Sequence, residues 1–234
     1  MKNVTVVILC GGEGLRLRPI TKEIPKPLVK INNKPILSYI VDHLINSGFN
    51  DLIFATGYLS KQIENFIEIK KIPPQVNYSI INSGNIDIVS RLKICSQSLT
   101  GDMIVLYGDT ITDINFKKMI NFHRNNSTPT TVCVYQLKSN FGLFDVNRNN
   151  RVVKYEEKPN LDKWINIGYF YFENNIFKYL KKYDSFELFI NFLMRANMIS
   201  AFKHEGIHIT VNTMGELTEA SNNIHKINNK NENK

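Results

Sequence analysis

The sequence predicts an α/β protein built on a doubly wound, mostly parallel sheet, with a smaller β part appended. Three observations carry that expectation. Val4 to Cys10 is a continuous, largely β-branched run of strand length, as expected of a strand buried on both faces. A glycine-rich turn follows it directly. Strand and helix signals then alternate through the first half of the chain, the rhythm of βαβ units.

Each element has its own local cause. Pro35 to Ser47 carries apolar residues at helical spacing, and Gly48 is placed to cap it. Asp51 to Thr56 is the next strand, closed by Gly57. Lys61 to Lys70 reads as a short amphipathic helix, Val76 to Ile81 as a strand and Val89 to Ser98 as a helix. Met103 to Tyr107 is a strand ending in Gly108-Asp109. Phe116 to Arg124 is helical and Thr130 to Leu137 extended. The second half is less regular. Gly142 to Val146, Val152 to Glu156 and Ile167 to Phe172 are short strands between Asn-rich turns. Phe186 to Ala196 is a helix, Gly206 to Val211 a last strand and Glu216 to Ile227 a closing helix. One domain over 1–227 is expected, with halves at 1–137 and 138–227. The polar tail 228–234 is expected to be disordered.

Composition narrows the function classes. At 234 residues the chain is long enough for one well-buried core. The run Val4 to Cys10 is too short to span a membrane, and nothing near the N-terminus reads as a targeting signal. Cys10, Cys95 and Cys133 are widely spaced and odd in number, which suits a reducing cytoplasm better than a disulfide framework. The expected location is therefore cytoplasmic, without a membrane partner. The net charge of +8 comes from scattered lysines rather than a basic run with interleaved aromatics. Anionic small molecules fit that pattern better than nucleic acid. His43, His123, His204, His208 and His225 form no zinc-binding spacing.

Four motifs carry the chemistry. The first is Leu9-Cys10-Gly11-Gly12-Glu13-Gly14-Leu15-Arg16-Leu17-Arg18-Pro19, followed by Pro25-Lys26-Pro27. Gly11, Gly12 and Gly14 remove side chains, so backbone N–H groups can approach an anion and a nucleobase can lie over the loop. Arg16 offers a fork of donors, and Lys26 is stiffened between two prolines. No GK[ST] follows, so this is not a Walker A loop, and the dinucleotide glycine spacing is absent. The second motif is Leu106-Tyr107-Gly108-Asp109. A carboxylate beyond the end of a buried strand can hold Mg²⁺, although Gly-Asp alone is equally a strand-ending turn. The third is Phe141-Gly142 with Glu157-Lys158-Pro159 and Trp164-Ile165-Asn166-Ile167-Gly168; taken alone, its Glu-Lys pair could be a surface ion pair. The fourth is Asn212-Thr213-Met214-Gly215. Besides these, Ser83-Gly84 leads toward Arg91-Leu92-Lys93, a loop that could contact a base or simply start a helix.

These strings resemble the signature of the sugar-phosphate nucleotidylyltransferase family, which reads GGxGTRLxPLT followed by PKP. The resemblance runs from Val4 to about Ala220. It implies a Rossmann-like nucleotidyltransferase fold and a Mg²⁺-dependent enzyme joining a nucleoside triphosphate to a small phosphorylated acceptor. It implies that Leu9, Gly11, Gly12, Gly14, Ser83, Gly84 and Tyr107 hold the nucleotide, and that Arg16 and Lys26 act on its phosphates. Asp109 becomes the metal ligand. Gly142, Glu157, Lys158 and Asn166 form the acceptor site. Two positions depart from the pattern. Leu15 replaces the usual Thr or Ser, and Asn212 replaces a second Asp ligand, so weaker metal binding or a preference for Mn²⁺ is expected.

Two branches of the family compete for the substrate. The first loop looks like the mannose- or heptose-1-phosphate guanylyltransferases. The segments around Arg91 and Trp164 look more like glucose-1-phosphate cytidylyltransferase, which favours CTP. A non-sugar phosphate stays open as acceptor. So do a homo-oligomer, a catalytically silent nucleotide-binding subunit and a nucleic-acid-binding module.

Overall fold

The structure, a computed structural model, describes residues 3–227; the tail expected to be disordered lies outside them. The chain opens with β1 (Val4–Cys10) and short 3-10 turns that include Leu15–Leu17 and Lys26–Leu28. A small hairpin of β2 (Lys30–Ile31) and β3 (Lys34–Pro35) leads into α1 (Ile36–Asn46). The alternating half continues with β4 (Asp51–Thr56), α2 (Ser60–Lys70), β5 (Asn77–Asn82), α3 (Ile88–Ser96) and β6 (Asp102–Tyr107). Next come β7 (Thr110–Thr112), α4 (Phe116–Asn125), β8 (Thr130–Lys138), and the strands β9 (Leu143–Val146) and β10 (Val152–Glu156). The remainder is β11 (Asn160–Phe172), α5 (Phe177–Leu180), α6 (Phe186–Arg195), β12 (Ile199–His204), β13 (His208–Thr210) and α7 (Met214–Asn223).

One sheet of seven strands organises all of this, in the order β12-β8-β11-β6-β1-β4-β5. β1 pairs in parallel with β4 and β6, β4 with β5, and β8 with β12. β11 alone runs against its neighbours β6 and β8. The sheet is therefore mostly parallel, and it takes strands from both halves of the chain.

The sheet is buried on both faces because successive residues of β1 point opposite ways. Val6, Ile8 and Cys10 join one apolar layer with Ile36 and Leu37 of α1, Ile63 and Ile67 of α2, and Phe116 and Met119 of α4. Val7 joins the other layer, with Val89 and Leu92 of α3 and Phe189 and Leu193 of α6. Gly48 ends α1 as expected, with φ +86° and its N–H on the Ile45 carbonyl at 2.9 Å. The cysteines are buried and free. Among the described residues no helix is long and apolar enough to cross a membrane.

Several elements differ from the expectation. Ile199–His204, not anticipated, is an edge strand parallel to β8. It is largely half-exposed, and its polar Lys203 and Ser200 blur the alternation. β11 begins at Asn160 rather than Ile167; its first half is mostly exposed and polar, so its sequence reads as turn. The strand expected over Gly206 to Val211 shortens to β13, which pairs antiparallel with β7. The β9–β10 hairpin stands outside the main sheet. Its two ends meet, with the Ser139 N–H on the Pro159 carbonyl at 2.9 Å and Asn160 registered opposite Lys138.

Candidate active site

The carboxyl ends of β1, β4, β5 and β6 lie along one edge, since Cys10 registers with Thr56 and Leu9 with Tyr107. The chain proceeds from β1 to β4 on one side and later to β6 on the other. That reversal of strand order opens a crevice where α/β sheets bind ligands. A cavity of about 530 Å³ occupies it. Its lining comes from the first loop (Gly11, Gly12, Gly14, Arg16), from Lys26, from Ile86–Ile88 with Arg91, and from Tyr107–Asp109 with Asn212.

Asn212 reaches this crevice from the far end of the chain because β13 pairs with β7, Thr210 opposite Thr110. It is then fixed by the start of α7. Its N–H donates to the Glu216 carboxylate, while Thr213 and Glu216 form a capping box, the Glu216 N–H standing 3.2 Å from Thr213 Oγ1. The Asn212 amide oxygen accepts from Arg16 Nη2 and from Lys26 Nζ, each at 2.9 Å. Lys26, 8% exposed, also pairs with Asp109. Arg16, Lys26, Asp109 and Asn212, far apart in sequence, thus converge at one point.

Two glycines of the loop have different tasks. Gly14 adopts φ +62°, and a Cβ there would stand 3.2 Å from that of Lys26. Gly11 faces inward: a Cβ would fall 2.2 Å from the Arg91 guanidinium. Over Gly12, nothing lies within 4 Å, so only there does the missing side chain leave open space.

Arg91 is the residue that sequence reasoning underused. It is 3% exposed, and it donates to neutral acceptors. Nη1 donates to the Thr56 carbonyl and Ser83 Oγ, and Nη2 to the carbonyls of Gly84 at 3.0 Å, Ile86 at 3.2 Å and Gly11 at 3.4 Å. One guanidinium so ties together the loops after β1, β4 and β5. Burial holds its pKa below the usual arginine value. The available signal was an arginine on the apolar face of α3, beside the buried Val89, Leu92 and Cys95.

Ser83 and Gly84 do not line the cavity; they sit behind Arg91, and Ile86, Asp87 and Ile88 form the wall instead. Leu9 and Tyr107 do line it. Gly142, Glu157, Lys158 and Asn166 lie outside the lining. Gly142 and Glu157 are nevertheless neighbours, since a Cβ on Gly142 would meet the Tyr155 hydroxyl at 2.6 Å and Glu157 Oε2 at 2.9 Å. Tyr155 donates to Glu157 and escaped the sequence reading, although the two-residue period of a strand puts both on one face. Lys158 is exposed at a turn with φ +46°. Asn166 accepts from the Gly168 N–H at 2.8 Å.

Asp109 and Asn212 suit a hard divalent cation, because their oxygens reach one common point, the Lys26 ammonium. Among the described residues no group of three or more His, Cys, Asp or Glu side chains could hold a metal. An ion here would draw most of its ligands from phosphate oxygens and water, as Mg²⁺ commonly does.

Beside the site, burial and the neighbouring His204 push His208 down to about 4, despite Asp109 and Glu216. Its unfolded value is near 6.5, so unfolding takes up a proton between those two values. Stability is expected to be level above about pH 6.5 and to fall toward pH 4. Melting temperatures across that range should show a flatter acid limb in His208→Gln.

Comparison with known proteins places the chain. The nucleotidyl transferase family model matches residues 5–207. A Bacillus subtilis protein named as a probable glucose-1-phosphate cytidylyltransferase is 26% identical, over 92% of this chain and 94% of that protein. A mannose-1-phosphate guanyltransferase of Hypocrea jecorina is 30% identical over 74% of this chain. The chain spans 50% of that relative's length. The crystal structure of HddC from Yersinia pseudotuberculosis superposes with a TM-score of 0.72 at 24% identity, over 94% of this chain and 99% of that one. It shares the fold described above. The family model spans most of the chain, residues 5–207: this chain belongs to the nucleotidyl transferase family.

Proposed function

We infer that the protein is a sugar-phosphate nucleotidylyltransferase that condenses a nucleoside triphosphate, CTP for preference, with a sugar 1-phosphate or similar acceptor and releases pyrophosphate. The observation that carries the reading is the convergence of Arg16, Lys26, Asp109 and Asn212 at the mouth of the switch-point cleft. In this reading residues 1–137 hold the nucleotide and residues 138–227 the acceptor. Arg16 and Lys26 neutralise the triphosphate, Asp109 and Asn212 hold Mg²⁺ or Mn²⁺, and Lys158 meets the acceptor phosphate. A bound divalent cation would supply charge neutralisation on the phosphates. The acceptor oxygen then attacks the α-phosphorus in line as pyrophosphate leaves. No general base is required, because a phosphate monoester is already ionised near neutral pH. The chain's own contribution is to bring two anions together and shield their repulsion.

In this reading the base lies against Ile86, Asp87 and Ile88, a reading supported by their place in the cavity lining. The Asp87 carboxylate, which caps α3 through Ser90, has lone pairs left to accept from an exocyclic amino group, present on cytosine, guanine and adenine and absent from uracil. The name of the Bacillus relative supports CTP. The guanyltransferase relative supports GTP with mannose-1-phosphate as the second reading, a heptose 1-phosphate being the alternative acceptor in the same branch. Incubating the protein with each of four NTPs and a panel of phosphorylated metabolites should yield pyrophosphate for one pair above all. Thermal stabilisation by NTP with no pyrophosphate from any pair would instead identify a silent nucleotide-binding subunit.

Asn212→Asp adds a charged oxygen where a neutral one stands. Half-maximal activity is expected at a lower Mg²⁺ concentration in this variant, and the Mn²⁺ preference should narrow. An unchanged metal dependence would place residue 212 away from the metal.

A further inference from the structure

We propose that Lys26 is an internal counter-cation: in the nucleotide-free protein its ammonium fills the position between Asp109 and Asn212 that a divalent metal would take, so the metal is admitted only together with a nucleotide. The inference rests on the reading of the cleft as a nucleotide site and goes beyond it to the coupling between two ligands.

The oxygens that suit a metal are already engaged. Asp109 Oδ2 pairs with Lys26, and Asp109 Oδ1 accepts from Thr110 Oγ1 at 3.2 Å. The Asn212 oxygen is shared by Lys26 and Arg16 at 2.9 Å each. Arg16 and Lys26 thus occupy the oxygens that would face an ion, and the nearby Glu216 carboxylate is held on the Asn212 and Thr213 N–H groups rather than on either cation. Lys26 has little room to step aside. It sits in the 3-10 turn Lys26–Leu28, next to Pro25 and Pro27, and is buried. A dication needs oxygens at about 2.0–2.1 Å, within direct repulsive reach of an ammonium bonded to the same atoms.

The ammonium can leave Asp109 only if another anion receives it. The other carboxylate of the cavity wall, Asp87, caps α3 and bonds the Ser90 N–H and hydroxyl. A polyphosphate resolves the conflict, because it accepts Lys26 and supplies ligands to the metal in the same event. Each ligand then tightens the other, reciprocally.

The test uses the full chain and Mn²⁺ alone as probe, followed by the paramagnetic resonance signal of free Mn²⁺. Lys26→Met is expected to bind Mn²⁺ more tightly than wild type by the usual span of coupling between sites, roughly 5–150-fold. Adding Asp109→Asn should abolish the gain. Equal affinity in wild type and Lys26→Met overturns the proposal. A second measurement needs no variant. The melting-temperature shift of wild type with Mn²⁺ and CTP or GTP together is expected to exceed the sum of the shifts with Mn²⁺ alone and with nucleotide in EDTA. Additive shifts overturn the counter-cation role alone. A protein unmoved by every NTP in every arm overturns the nucleotide reading beneath it.

Discussion

Lys26→Ala is expected to slow pyrophosphate release by on the order of 10²–10³, the cost of losing one preorganised charge-stabilising group. The loss should appear in kcat at saturating substrates, because the ammonium matters most as charge builds on the phosphates in flight. Arg16 remains in place and keeps part of the nucleotide affinity. The geometry makes the effect specific. Lys26 is buried, flanked by prolines and aimed at Asp109, so no neighbouring lysine can substitute for it. Steady-state rates with the pair found in the substrate screen would measure it, with a melting curve to confirm the fold. Turnover near that of wild type would remove Lys26 from the reaction.

Arg91→Ala is expected to cost several kcal/mol of stability, since each buried acceptor left without its donor costs about 1–3 kcal/mol. It leaves the carbonyls of Gly11, Thr56, Gly84 and Ile86 without their shared donor. For a chain of this length that corresponds to a fall in melting temperature of roughly 10 °C. The nucleotide KM should rise as well, because the loop bearing Gly11 and Gly12 loses its anchor. Arg91→Lys keeps the charge but not the planar fork, so it should recover only part of either loss. Gly11→Ala should reproduce the phenotype from the other side, since its methyl group would collide with the guanidinium. If Arg91→Ala melted within about 2 °C of wild type, the three loops would be holding one another without it.

The contrast between Lys26 and Arg91 shows what a sequence makes legible. Lys26, Arg16 and Asp109 follow strand-ending signals that are local: an apolar run, then glycines, then a charge. Those signals also place the alternating half and its parallel pairing. Asn212 was read as a site residue through its motif, yet its contact with Lys26 depends on β13 pairing with β7, which nothing local announces. Arg91 bonds Gly11 across 80 positions, and only the assembled sheet edge brings the two together. The acceptor residues show the opposite limit. Gly142 and Glu157, read with Lys158 and Asn166 as acceptor residues, do lie together, but Tyr155 beside them was missed because an aromatic in an exposed strand looks like ordinary hairpin packing. Ile199–His204 was lost for a related reason: an edge strand needs only one apolar flank, so its pattern is half erased.

The excursion between Ser139 and Pro159 leaves the sheet and rejoins it at a single closed point. Its length and sequence can therefore drift without shifting any rung of the ladder between β8 and β11. If Gly142, Glu157 and Lys158 hold the acceptor as proposed, the excursion is in evolutionary terms an interchangeable cassette: a lineage could trade one acceptor for another by rewriting this loop, while the proposed triphosphate site is inherited unchanged.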